Sequence, residues 1–367
     1  MREAKCCSIL RVNTISHALM KALRNGVRRC SDDALERLRG FVAGQWHGSG
    51  GFCDRSGKPD IYYTQFGLML ARALGMKIDA SAVERFCWAH DVRSFDLVHA
   101  SCFVRSLLLA KPWFSWMQRR RIRRDCPFAA LVEAAQTPYE RFLALTLAQD
   151  AGLAFGKKSL EAYRSADGLY ANVSEALEGG VNATASAILV ELLECDSIQN
   201  HTNWAQFFNP NFLLGRSPSI NSVWQRPTKQ ITENPSPGGA QSENGDFAPS
   251  GIEGQRGRYH RALSCANDIR LSAFFHIPSA AHVLAELERD DGSFCANPST
   301  HFPDILSTAS AHFALHAAGM KPRNDAKVFV EGCFVEDAGG FAASPEGGAP
   351  DLEYTAYGVI LMGMADY

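Results

Sequence analysis

At 367 residues, 46% of them hydrophobic and with a formal net charge of −2, the chain can fill a substantial core and carries no overall charge bias towards nucleic acid. No apolar run approaches the roughly 18 residues of a membrane helix. Arg2, Lys5, Arg11, Lys21, Arg24, Arg28 and Arg29 interrupt any signal-peptide core. Eleven cysteines, an odd number without a C-x-x-C pair, read as reduced thiols, so the expected compartment is the cytoplasm.

Residues 1–30 read as an N-terminal extension and 31–367 as one repeat domain. Ser31 followed by Asp32 and Asp33 predicts a helix start, because a serine cap and first-turn acids suit the positive end of a helix dipole. The first legible repeat is Gly50-Gly51-Phe52, then Pro59-Asp60-Ile-Tyr-Tyr-Thr64, then an apolar helix reaching Leu74-Gly75. Weaker copies start at Phe95-Asp96, at Tyr139-Glu140, and at Asp167-Gly168-Leu169 before Gly180-Val-Asn-Ala-Thr184. From Asn209 to Arg261 the chain turns rich in Pro, Gly, Ser, Asn and Gln, which predicts an insertion or an eroded repeat; an altered reading frame would look the same.

Two good copies close the chain. Asp291-Gly-Ser-Phe294 leads to Pro303-Asp304-Ile-Leu-Ser-Thr308, and Gly339-Gly-Phe341 leads to Pro350-Asp351-Leu-Glu-Tyr-Thr355. Asp304 and Asp351 lie 47 positions apart, within the range of stacked helical repeats. The parts have physical jobs. Glycines permit a tight turn and the aromatic pins it to the packed helices. Proline stops the incoming segment and aspartate caps the next helix, whose apolar side must be covered by neighbouring units.

This pattern resembles the repeat shared by protein prenyltransferase β subunits and by squalene-hopene and oxidosqualene cyclases. The resemblance covers about half of the chain well, and implies an all-α fold: an (α/α)6-type toroid of helix pairs around an apolar central cavity that receives an isoprenoid. It implies an isoprenoid-handling enzyme, prenyltransferase-like or terpene-cyclase-like. The alternative is a non-catalytic toroid scaffold or lipid-binding protein.

The family's catalytic motifs do not carry over whole. At the prenyltransferase zinc positions Asp304 keeps the aspartate, but Leu306 replaces the cysteine and Tyr354 the histidine; zinc is not expected, and magnesium enters only as the companion of a diphosphate substrate. Asp32-Asp33-Ala-Leu-Glu36 is similar to the magnesium-binding acids of class I terpene synthases, yet sits where a cap belongs. The nearest match to the cyclase acid motif Asp-x-Asp-Asp is Glu288-Arg-Asp-Asp291, which abuts a turn and reads as solvated.

What remains are polar helix starts. The candidate catalytic residues are Glu353, Tyr354, Asp351, Asp304 and His99, and the candidate ligand-binding residues Asp60, Tyr63, Asp96 and Ser307, with Tyr62 beside them. Capping alone accounts for Asp60, Asp304 and Asp351, but not for Glu353, Tyr354 or His99. A further stretch, Pro112-Trp-Phe-Ser-Trp116-Met117, runs into Arg119 to Arg124. It reads either as core aromatics followed by a solvated basic face, or as a peripheral contact with an anionic membrane through Trp113, Trp116 and the arginines. No nucleic-acid-binding motif accompanies it.

Overall fold

Each predicted anchor starts a helix, and the caps explain why. In the computed structural model, which describes residues 14–194 and 278–364, Asp60 accepts from the Tyr62 and Tyr63 amides, Asp96 from His99, Asp304 from Ser307 and Asp351 from Tyr354. Each carboxylate satisfies amides that the first helical turn leaves unpaired. Thr137 does the same in a capping box with Glu140. The expected insertion at 209–261 lies outside the described residues.

The helices are α1 (Ile15–Val27), α2 (Asp32–Gly44), α3 (Ile61–Ala73), α4 (Ala80–Trp88), α5 (Leu97–Ala110), α6 (Ser115–Asp125), α7 (Phe128–Ala134), α8 (Pro138–Ala151), α9 (Val181–Glu194), α10 (Pro278–Glu286), α11 (Ile305–Ala317), α12 (Lys327–Gly332) and α13 (Leu352–Met364). Two small antiparallel ribbons, β1 (Phe52–Cys53) with β2 (Pro59–Asp60) and β3 (Phe334–Val335) with β4 (Gly340–Phe341), shape two of the turns. The described residues are predominantly helical, as the all-α expectation required.

The threonine of the repeat has a job that its position alone does not disclose. The hydroxyl oxygens of Thr64, Thr184, Thr308 and Thr355 accept from the backbone amides of Phe52, Tyr170, Phe294 and Phe341, at 2.8 to 3.0 Å. The first three also donate to the carbonyl four residues earlier. Each hydroxyl thereby ties the aromatic of the turn to the helix that follows. Below it the helix must be flat: a Cβ on Gly67 would lie 2.3 Å from the Phe52 ring, and one on Gly358 2.6 Å from Phe341.

Helix packing proceeds from α3 to α5, α5 to α8, α8 to α9, α9 to α11, α11 to α13, and α13 to α3. The helices between them pack alongside: α2 on α3, α4 on α5, α7 on α8, α10 on α9 and α11, and α12 on α13.

Within the expected N-terminal extension, residues 15–27 form α1, which packs along α13 and buries Ile15, Ala18, Ala22, Leu23 and Gly26. The two backbones touch: Gly26 has no room for a Cβ against the Val359 carbonyl, nor Gly363 against that of Ala22.

Glu288 corrects another expectation. It is buried, and its carboxylate accepts from the Arg323 and Asn324 amides at 2.8 and 2.6 Å. The solvated reading holds for Asp290 and Asp291, not for Glu288.

Candidate functional site

The helices α3, α5, α8, α9, α11 and α13 line one cavity of about 110 Å³. Its lining follows from the repeat register. Counted from the residue before each helix (Asp60, Asp96, Thr137, Gly180, Asp304 and Asp351), lining side chains fall at the second, fifth, sixth and ninth positions, the spacing of one helix face. The outermost layer contributes Tyr62, Val98 and Tyr139; the middle one includes Phe66, Cys102, Phe142 and Tyr357; the innermost is Met69, Arg105, Thr146, Leu189, Phe313 and Ile360. Leu19 of α1 also lines the cavity.

The innermost layer is not purely apolar. Arg105, largely buried, donates to the Asp150 carboxylate and to Gln65 Oε1, each at 3.3 Å. The Ser16 hydroxyl donates to the same Asp150 carboxylate at 2.6 Å. Charge and partner are thus matched inside the protein, as a buried ion pair requires, and α1 is tied to that end of the cavity.

At the other end, the first turns of α3 and α13 bring together Tyr62, Tyr63, Asp351, Glu353 and Tyr354. The Tyr62 hydroxyl donates to Glu353 Oε1, and the Tyr63 hydroxyl to Asp351 at 3.5 Å. Asp351, 5% exposed, also receives Arg55 through Nε at 2.7 Å and a second guanidinium nitrogen at 2.5 Å. The same guanidinium lies 4.9 Å from the centre of the Tyr354 ring. Burial raises the Glu353 carboxyl above its ordinary value, and the charge of Asp351 adds to this against the Tyr62 hydrogen bond and Arg55. Burial pushes Tyr63 and Tyr139 up to about 12, and raises Tyr62 and Tyr357 as well. All four phenols are therefore neutral hydrogen-bond donors at neutral pH.

Of the other candidates, Asp60 meets this group through the Tyr62 and Tyr63 amides. His99 is half-buried, donating its amide to Asp96 and pairing its ring with the same carboxylate at 2.7 Å. Asp60 and Asp304 act as caps. Ser307 is fully buried and 3.4 Å from the Asn182 amide nitrogen. The zinc positions do not fit a metal: Leu306 has no donor atom, and Tyr354 lies beside Arg55. Among the described residues no group of three His, Cys, Asp or Glu side chains is placed to hold an ion.

Sequence reasoning missed Arg55, Tyr139 and Tyr357. Tyr139 occupies the same register position as Tyr62 and Glu353, and Tyr357 lies one turn after Glu353; aligning the six helix starts would have found both. Arg55 had no such signal. None of the protein-family models, curated proteins or solved structures compared with this chain matches it.

Proposed function

We propose that the chain is an (α/α)6-type toroid that handles a short isoprenoid group in this cavity, with Glu353 as the proton donor. The observation that carries the reading is a carboxyl with a raised pKa, held by Tyr62, above an apolar hollow ringed by Tyr62, Tyr139 and Tyr357. The circuit of packing from α3 through α13 and back supports the toroid. A protonated Glu353 gives its proton to an alkene carbon, and the tyrosine ring faces stabilise the cation that results. The carboxylate left behind takes a proton from an adjacent carbon. Arg55 neutralises Asp351 beside it.

Size limits the ligand. An apolar void of about 150 Å³ holds a benzene ring, so about 110 Å³ suits one five-carbon prenyl unit. Pockets for longer ligands run to roughly 300 Å³ and above, so a farnesyl or squalene chain does not fit this cavity. The same small volume, with Leu19, Phe142 and Phe313 filling the space, favours a second reading: a non-catalytic scaffold.

The test is thermal stabilisation and product analysis with dimethylallyl, farnesyl and geranylgeranyl diphosphates and squalene, with and without magnesium. The five-carbon ligand should stabilise the protein and be turned over. Glu353→Gln should bind it and lose turnover by about 10²-fold or more. Wild-type turnover should fall as pH rises through the raised Glu353 pKa. No stabilisation by any ligand would leave the scaffold.

A further inference from the structure

The α6 surface does not use its aromatics to build the core. Trp113, in the single turn Pro112–Phe114 that leads into α6, is 91% exposed, Trp116 56% and Met117 50%. Arg120 and Arg124, the latter paired only with its neighbour Asp125, continue the same stripe at helical spacing. The opposite side of α6 is firmly seated: Ile122 is fully buried, and Gln118 Nε2 donates to Glu84 at 3.1 Å.

The remaining arginines hold the helix in place. Arg119 Nε donates to the Asp150 carbonyl at 2.7 Å and Arg123 to that of Ala151 at 3.1 Å, and Arg121 stacks 3.8 Å from the centre of the Trp88 ring. These bonds satisfy carbonyls at the C-terminal end of α8. They also free the opposite face to display two indoles and a thioether beside cations. Two anions, Glu84 and Asp125, stand against Lys111 and five arginines, so the surface keeps a positive excess.

From this arrangement we infer that the Trp113–Trp116–Met117 face at the start of α6 docks on an anionic lipid bilayer, independently of what the cavity holds. Indoles prefer the boundary between headgroups and acyl chains, where the ring is apolar and its N–H stays wet; Arg120 and Arg124 then meet lipid phosphates. An indole 91% exposed at the head of a firmly seated helix, next to cations, suits an acidic membrane. No helix among the described residues is long and apolar enough to cross a membrane, so this contact lies in the interface. It sets the C-terminal ends of α5 and α8 towards the bilayer, with α1 tied to the same end through Asp150. The Glu353 group is held at the opposite ends of the helices.

The test is sedimentation of the full chain with vesicles of phosphatidylglycerol and phosphatidylcholine, against phosphatidylcholine alone. Wild type should bind the anionic vesicles, with tryptophan emission shifting to the blue, and should be released by salt. Trp113→Ala with Trp116→Ala should weaken binding about ten-fold or more, and so should Arg120→Glu with Arg124→Glu. All these residues are exposed, so circular dichroism and melting temperature should match wild type. Undiminished binding by the tryptophan pair, or equal binding to neutral vesicles, overturns the proposal. So does a self-association through these tryptophans that the substitutions abolish, or a preference for duplex RNA over vesicles.

Discussion

Replacing Thr308 by Val tests the latch that makes the repeat a unit. Thr308 is fully buried; its hydroxyl accepts from the Phe294 amide at 3.0 Å and donates to the Asp304 carbonyl at 2.7 Å. Valine has nearly the same shape, so the core opens no cavity. The Asp304 carbonyl keeps a partner, because it still accepts from the Thr308 amide within the helix. Valine offers the Phe294 amide no acceptor, and a buried amide without one costs about 1–3 kcal/mol. That range is the expected loss of stability, read as a lower urea midpoint at unchanged slope and a melting temperature lower by about 2–4 °C per kcal/mol. Thr308→Ser keeps the latch and loses only a buried methyl, about 0.8 kcal/mol. Thr146→Val is the internal control: that hydroxyl donates only to the Leu143 carbonyl one turn earlier, so its loss should cost less than Thr308→Val. Equal stability of Thr308→Val and wild type, or equal losses at Thr146 and Thr308, would refute the reasoning.

Two further outcomes follow from the packing and the charges. Gly67→Ala should destabilise by about 1–3 kcal/mol, since its Cβ would lie 2.3 Å from the Phe52 ring; Gly40→Ala in α2, with nothing within 4 Å, should instead gain up to about 1 kcal/mol from helix propensity. A thermal denaturation series in which Gly67→Ala is the more stable variant sinks the first claim. His316 is 4% exposed, and burial, with Lys21 and His312 nearby, lowers its pKa to about 4. The folded state therefore disfavours its protonation, and stability should fall as pH drops from the ordinary 6.5 towards about 4, by roughly 2 kcal/mol at pH 5. His316→Gln should flatten part of that acid limb in urea titrations at pH 7 and pH 5; an unchanged slope argues against the assignment.

The repeat was legible because its parts are local. A proline, an acid and a threonine at fixed spacing state where a helix starts, and Asp60, Asp96, Asp304 and Asp351 all cap as read. What stayed hidden depends on partners distant in sequence. Arg55 meets Asp351 across 296 positions and Glu288 meets Arg323 across 35, and no pattern near either residue announces the match. The α1 helix is a different case. Ile15, Ala18, Leu19, Ala22, Leu23 and Gly26 carry the spacing of an apolar helix face, but the segment lacks the turn, acid and threonine of the repeat, and its mate α13 lies far along the chain. The exposed aromatics of α6 are the converse: their type suggests a core, and only their neighbours decide.

The close fit of α1 on α13 bears on how the polypeptide reaches its native state. Arg29 bonds the Met362 carbonyl 333 positions away, so α1 cannot meet its mate until a long further stretch of chain has been made. Until then the greasy side of residues 15–27 has no native cover during synthesis. Such long-range closure makes maturation slow and late. It also makes the nascent protein a client for any factor that shields exposed apolar helices.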